Sequence, residues 1–201
     1  MRSPRFIFLG AYLLPAVSGI SAETASPSLI VKRTRKSPLS PLSFEKLLDE
    51  AGSFKNLFAL AKKGGTDVQA EMQKAMEWDS ELWRTVGYKV VRVGDGEAEL
   101  SFPYGKAITR RGGIVHGGII MYTLDNVCGI AVMTANPGID QVTMELKVNF
   151  LEPLKKGPFS AVGRVVRAGG TVAVAEGEIR DGDGRLCAKG MGTWFMTKRR
   201  A

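Results

Sequence analysis

The sequence predicts an α+β fold in which one antiparallel sheet wraps around a single long central helix. The first observation is an almost wholly apolar stretch, Gly117 to Ala135, whose length suits one helix. The second is a series of short segments with alternating apolar and polar residues on both sides of it, joined by turns rich in glycine, aspartate and proline. Consecutive antiparallel strands that curl around one helix satisfy this order. A helical extension is predicted before the first strand.

Composition limits the classes of function. The chain has 201 residues, enough for one core domain plus extras. Six basic residues and one acidic residue in the first 40 positions account for +5 of the net charge of +8. The basicity is therefore mainly a property of the tail, and we expect no nucleic-acid partner. Cys128 and Cys187 lie in apolar patterns without CxxC spacing, which favours buried free thiols in a reducing compartment.

Residues 1–40 are predicted to be a leader-like, disordered tail. Arg2 and Arg5 precede an apolar run from Phe6 to Val17, as in a secretory signal, but Pro15 interrupts the run and no clean cleavage site follows. An organelle-type leader and a start codon placed too far upstream are the alternatives. We expect a cytoplasmic protein. Export and targeting to an organelle are the two other locations that this segment leaves open.

Residues 41–85 are predicted to form a helical lead-in. Ser43 can cap a helix from Phe44 to about Lys62, which Gly52-Ser53 divides in two. A second helix is expected from about Asp67 to Arg84. These helices either cover an edge of the main domain or form a contact between subunits.

The main domain is assigned to residues 86–201. Two strands, Tyr88–Val93 and Ala98–Phe102, are predicted to form a hairpin before the central helix. The loop Pro103–Gly113 connects this hairpin to the helix. Four strands are predicted after the helix: Val142–Leu151, Phe159–Arg167, Thr171–Arg180 and Leu186–Thr197. The first of them alternates regularly, which predicts one face with Val142, Met144, Leu146, Val148 and Phe150 and another with Thr143, Glu145, Lys147 and Asn149.

Asp125 is the only ionisable carboxylate between Gly117 and Ala135. A carboxylate at the centre of a membrane span would be costly, so a core helix is predicted and no membrane partner. Desolvation in apolar surroundings disfavours the charged carboxylate and suits a basic role, although a structural carboxylate is the other interpretation. The helix begins with Gly117 directly after His116, the only histidine. Unpaired amides at such a helix start can form an oxyanion hole.

Three motifs carry a resemblance to a known family: His116-Gly117-Gly118, Leu124-Asp125-Asn126, and the strand end Val148–Pro153. At this spacing the chain resembles the hotdog-fold thioesterases, and among them the phenylacetic-acid-degradation type of acyl-CoA thioesterase. The resemblance covers about Val86 to Lys198. It implies hydrolysis of small or medium acyl-CoA, aromatic acyl groups included, to free acid and CoA. It also implies no metal and no cofactor.

The resemblance assigns roles to individual residues. It implies that Asp125 is the base or nucleophile, that the Gly117 amide polarises the thioester carbonyl, and that the Thr143 hydroxyl assists the water. His116 completes the catalytic set, although helix entry or packing is an alternative role for it. Gly118, Arg110 and Asn126 are the candidate substrate-binding residues. Some family members place asparagine or glutamine six residues before the histidine, where this chain has Arg110.

Helix geometry predicts a shared site. Gly117 and Asp125 are eight residues apart, about 12 Å along an α-helix, so one helix cannot offer both groups to one thioester. The resemblance implies the same solution, a homodimer in which Gly117 of one chain faces Asp125 of the other, and dimers that pair into a homotetramer. A non-catalytic acyl-CoA-binding sensor or scaffold is the alternative that Arg110 favours. A related dehydratase would need an aspartate–histidine pair for which this chain has no second histidine.

Overall fold

The computed structural model describes residues 47–198. The predicted tail, residues 1–40, and the predicted cap Ser43 lie outside this range. The division of the chain at residues 40 and 85 and the cytoplasmic location stay predictions.

The N-terminal helices begin with a helical turn at residues 47–51, followed by α1, Phe54–Lys63. The predicted division at Gly52-Ser53 is present, because the hydroxyl of Ser53 accepts a hydrogen bond of 3.2 Å from the amide of Asn56 and starts a new helix. The amides of Phe54 and Lys55 donate to the carbonyls of Gly138 and Asn136, both at 2.9 Å. Helix α1 is thereby attached to the loop that follows the central helix.

The prediction of one continuous helix from about Asp67 to Arg84 is wrong. This segment forms two helices, α2 at Val68–Asp79 and α3 at Glu81–Val86, separated by Ser80 in an extended conformation. The Ser80 hydroxyl accepts a hydrogen bond of 3.2 Å from the amide of Trp83 and caps α3. A serine side chain that satisfies an amide at a helix start competes with continuation of the helix, which explains the break.

The sheet has six strands in the order β1-β2-β6-β7-β8-β5, and every neighbouring pair is antiparallel. The strands are β1 Lys89–Gly94, β2 Glu97–Phe102, β5 Asp140–Phe150, β6 Phe159–Ala168, β7 Val172–Arg180 and β8 Leu186–Thr197. The predicted loop before the helix contains a 3-10 turn, Lys106–Ile108, and a two-stranded ladder, β3 Thr109–Arg110 with β4 Ile114–Val115. The predicted fold class, an antiparallel sheet around one long helix, is confirmed.

The central helix, α4, spans Gly117–Ala135, the predicted bounds. Among the helices described, α4 alone is long and apolar enough to cross a membrane, but most of it is buried inside the fold, as in a core helix. A row of glycines in register across β6, β7 and β8 lies beneath it, formed by Gly163, Gly177 and Gly190. A Cβ atom at Gly163 would lie 2.5 Å from the carbonyl oxygen of Val127. The glycine row therefore lets α4 approach the sheet backbone.

The predicted alternation of β5 is wrong at its start, where Val142 and Thr143 lie on the opposite sides to those predicted. The pairing of β5 with β8 shifts between Thr143 and Glu145, so Met144 is the extra residue of a bulge. Thr143 lies opposite Trp194 and Leu146 opposite Gly192, two positions on the helix-facing side of β8. Because a one-residue insertion reverses the alternation, Thr143 shares the helix-facing side with Leu146, Val148 and Phe150. Val142 and Glu145 are on the other side.

Candidate active site

The start of α4 presents one free amide. His116 is the N-cap residue, and its Nδ1 accepts a hydrogen bond of 3.0 Å from the amide of Gly118. Within residues 47–198, no acceptor bonds the amide of Gly117. The first amides of a helix carry a partial positive charge and point out of its end. The histidine cap therefore occupies the Gly118 amide and leaves the Gly117 amide available to a carbonyl oxygen.

The Gly117 amide lies beside an aromatic ring. The ring of Phe150, at the end of β5, would be 3.5 Å from a Cβ atom at Gly117, which is ordinary van der Waals contact. Phe150 itself is largely exposed. The ring of Phe150 therefore packs against the first residue of α4.

Asp125 lies two turns further along α4 and is half-buried. One carboxylate oxygen, Oδ1, accepts a hydrogen bond of 2.8 Å from the hydroxyl of Thr143 on β5. Burial raises the pKa of Asp125 above its ordinary value, and the Thr143 hydrogen bond opposes this shift. The second oxygen, Oδ2, accepts no hydrogen bond from the part of the chain described. The arrangement is a desolvated carboxylate with one oxygen held and one oxygen available to a water or a substrate.

Arg110 is an exposed cation close in sequence to the helix start. It lies on β3 and pairs with Ile114, which is three residues before Gly117. Arg110 forms no ion pair within residues 47–198. Its hydrogen bond to the carbonyl of Arg111 is long, at 3.5 Å. The sequence from residue 100 to residue 124 contains no acidic residue. Arg110 is therefore a cation without an acidic neighbour in this stretch of the sequence.

Asn126 is buried, and its amide nitrogen donates a hydrogen bond of 2.8 Å to the carbonyl of Tyr122. The structure thus places this predicted substrate-binding side chain in the interior. Cys128 is also buried, and burial raises the pKa of its thiol to about 12, as for a packing residue rather than a nucleophile. Over the described range, residues 47–198, no group of three or more His, Cys, Asp or Glu side chains could hold a metal ion.

The sequence predicted no role near the site for Tyr122 or Ser80. In the structure Tyr122 is half-buried, one turn before Asp125 on α4, and its hydroxyl is 3.0 Å from the hydroxyl of Ser80. The sequence signal that could have identified Tyr122 is its spacing of three residues from Asp125, which places both on one side of a helix. No local pattern connects either residue with Ser80.

Comparison with known proteins identifies the family of this chain. The model of the Thioesterase superfamily matches residues 112–188, which contain the helix start, Asp125 and Thr143. A candidate esterase of Saccharolobus solfataricus is 47% identical over 118 residues, which cover 59% of this chain and 84% of the relative.

Solved structures give the same result. A thioesterase family protein from Silicibacter pomeroyi has a TM-score of 0.58 and 30% identity, covering 63% of this chain and 96% of that one. A variant of the phenylacetic acid degradation protein PaaI from Thermus thermophilus has a TM-score of 0.54 and 24% identity, and the match covers 59% of this chain and all of that one. At this identity the likeness shows a shared fold alone. With its fold, its helix start and these relatives, this chain belongs to the hotdog thioesterase superfamily and is a hydrolase of the thioester type.

Proposed function

We propose that the protein is an acyl-CoA thioesterase that hydrolyses small or medium acyl-CoA, aromatic acyl groups included, to the free acid and CoA. The observation that carries this proposal is the pair of Asp125 and Thr143, a desolvated carboxylate held at one oxygen and free at the other. A carboxylate with a raised pKa is better matched to proton transfer near neutral pH than an exposed aspartate.

The proposed chemistry uses two groups of the central helix, each supplied by a different chain. Asp125 takes a proton from a water whose oxygen attacks the thioester carbon, and the Gly117 amide stabilises the resulting oxyanion. The C–S bond then breaks, and the CoA thiolate takes the proton back from Asp125, which restores the carboxylate. In the alternative route Asp125 attacks the carbonyl itself, the thiolate leaves, and water hydrolyses the mixed anhydride. His116 supports either route by holding the start of the helix.

The active unit is proposed to be a homodimer, because Gly117 and Asp125 of one helix are about 12 Å apart. A free sheet edge supports this proposal. β5 is an 11-residue edge strand whose one partner in the described sheet is β8, and Met144 on it is 62% exposed. Long edge strands that expose apolar residues are usually covered by a partner. A two-fold dimer gives two identical sites, each with Gly117 from one chain and Asp125 from the other. Pairing of dimers into a tetramer stays a further proposal.

Two other residues are proposed to contact the substrate, and a third is proposed to act on it through the helix. Arg110 has no ion pair within the described range and suits the anionic part of CoA or the thioester oxygen. Gly118 is exposed beside the reacting carbonyl, and its lack of a side chain keeps the approach open. Asn126 acts from the interior, through the helix turn that carries Asp125.

A non-catalytic acyl-CoA-binding module is the second candidate, and Arg110 favours it. A guanidinium where some relatives have a neutral carboxamide binds anions strongly but does not reproduce the geometry of a carboxamide donor. Such a module would bind acyl-CoA without releasing thiol.

The deciding experiment measures thiol release from a panel of acyl-CoAs with the wild type and Asp125→Asn. We expect turnover by the wild type and a loss of at least about 100-fold in kcat for the variant. Asp140→Asn is the matched control, since burial also raises the pKa of Asp140, which lies at the start of β5. Binding of acyl-CoA without thiol release by the wild type would favour the binding module, and near-normal turnover by Asp125→Asn would make Asp125 structural.

A further inference from the structure

The open surface of α4 near Asp125 lies on the first turns of the helix. From the helix start to Asp125, the positions that are not buried are Gly117, Gly118, Ile119, Met121, Tyr122 and Asp125. Beyond Asp125 the helix is buried as far as Thr134. A group bonded to a carbonyl carbon at Asp125 can therefore extend along this helix only toward Met121 and Tyr122. Tyr122 is three residues from Asp125, about 4.5 Å along the axis, which is within reach of a short acyl chain.

The ring of Tyr122 is held in place from two sides. Its hydroxyl is 3.0 Å from the Ser80 hydroxyl, at the junction of α2 and α3. Its ring centroid is 6.0 Å from that of Tyr88, and Tyr88 in turn lies 4.8 Å from Trp83. Tyr88 and Trp83 are both buried. A ring fixed by a hydrogen bond at its tip and by aromatic packing at its face cannot move aside easily for a substrate.

Negative charges on α2 and on α4 act on the hydroxyl of this ring. Burial raises the pKa of Tyr122, and the nearby negative charges of Asp79 and Asp125 raise it further. The hydroxyl therefore stays neutral at physiological pH and keeps its hydrogen bond with Ser80.

We propose that Tyr122 determines which acyl groups fit beside Asp125 and that Ser80 is its positioning residue. This inference rests on the proposed thioesterase function and adds the substrate selectivity of the same site. The fixed ring ends the space available along α4, so short acyl chains fit and longer chains meet the ring. The Ser80 hydroxyl keeps the ring from rotating out of that space. Because Ser80 lies between α2 and α3, the helices before β1 contribute to substrate selectivity.

The test measures kcat/KM for straight-chain acyl-CoAs from acetyl to decanoyl with the full chain. In Tyr122→Ala, we expect the ratio of kcat/KM for long over short chains to rise at least about tenfold, because one or two methylene groups in a pocket are worth that much. Tyr122→Phe and Ser80→Ala keep a ring but lose the hydrogen bond, so the same ratio should rise several-fold, with the change mainly in KM. Ser53→Ala is the matched control, because Ser53 caps α1 as Ser80 caps α3 and has no hydrogen bond to α4.

An equal change in kcat/KM for every chain length, or a ratio that changes as much in Ser53→Ala, would overturn the inference, because a purely structural role acts on all substrates alike. If Tyr122→Ala does not fold, Tyr122→Leu and Tyr122→Phe decide by the same ratio. If the wild type releases no thiol, the proposed hydrolysis is wrong. The role of Tyr122 in selectivity is then tested by dissociation constants for the same acyl-CoAs, measured by calorimetry. An unchanged order of affinities in the Tyr122 variants would overturn the inference in that case.

Discussion

The hydroxyl of Thr143 donates a hydrogen bond of 2.8 Å to Asp125, and a bulge of one residue is what turns Thr143 toward the helix. Met144 is the extra residue. Without it, regular alternation would place Thr143 on the outer face of β5 with Glu145, away from α4. Bulges are frequent beside active sites, where they redirect a side chain. The bulge thereby brings the Thr143 hydroxyl to the Asp125 carboxylate, and this hydrogen bond opposes the rise in pKa that burial causes.

The hydrogen bond from Thr143 should be visible in the pH dependence of activity. Burial raises the pKa of Asp125, so the acid limb of kcat/KM for the wild type should lie above the range of an exposed aspartate. Thr143→Val removes a donor that stabilises the charged carboxylate, so the pKa should rise further and the limb should move to higher pH. Loss of a hydrogen bond to a charged group also predicts a fall of about tenfold in kcat/KM at neutral pH.

Thr143→Ser is the control for that measurement, since it keeps the hydroxyl. It should retain the wild-type acid limb. An acid limb that does not move in Thr143→Val would show that another group, not Asp125, controls it.

Asp125 should also lower the stability of the folded protein at neutral pH. Its folded pKa is raised above the ordinary value of 3.8, so the folded state binds the proton more tightly than the unfolded state. Its contribution to stability is then fully present below the ordinary pKa and is lost as the pH rises through the folded pKa. The change in Tm caused by Asp125→Asn should therefore be more stabilising at about pH 7 than at about pH 4. A difference in Tm that is independent of pH would contradict a raised pKa.

The glycine row beneath α4 predicts a specific packing defect. Gly163→Ala places a methyl group 2.5 Å from the carbonyl oxygen of Val127, so the helix must move away from the sheet. We expect a loss of about 1–3 kcal/mol in the free energy of unfolding, measured by urea denaturation, together with lower activity as Asp125 moves relative to Thr143.

Gly105→Ala is the matched control for the packing defect. Gly105 has nothing within 4 Å of its added Cβ and an extended backbone that alanine adopts readily, so its stability should change little. Equal stability of the two variants would show that the helix is not fixed by this contact.

Complementation between two inactive variants tests the shared site. Gly117→Pro removes the amide that is proposed to bind the carbonyl oxygen, and proline at the first position of a helix is well tolerated. When Gly117→Pro and Asp125→Asn are unfolded and refolded together, half of the dimers should be mixed, and each mixed dimer holds one intact site. About a quarter of all sites should therefore recover, as measured by thiol release. If both variants fold and pair but no activity returns, the two groups do not belong to one composite site.

The central helix, the six strands of the main sheet and the motif at the helix start can all be located from local sequence patterns. Periodicity and turn residues are local properties, so Gly117–Ala135 and the four later strands could be located without a partner element. Asp125 was identifiable for the same reason, as a charge where every neighbouring pattern requires an apolar residue. The order of these elements was enough for the fold class.

Which side chains contact one another depends on how the elements pack. The bulge at Met144 depends on the pairing of β5 with β8, and its position cannot be read from an alternating sequence. The ladder of Thr109–Arg110 with Ile114–Val115 is too short to have a period. The contact of Ser80 with Tyr122 joins residues 42 positions apart, through a helix break that the capping serine creates. These features arise from long-range packing, whereas the pattern that predicts a helix or a strand extends over only a few residues.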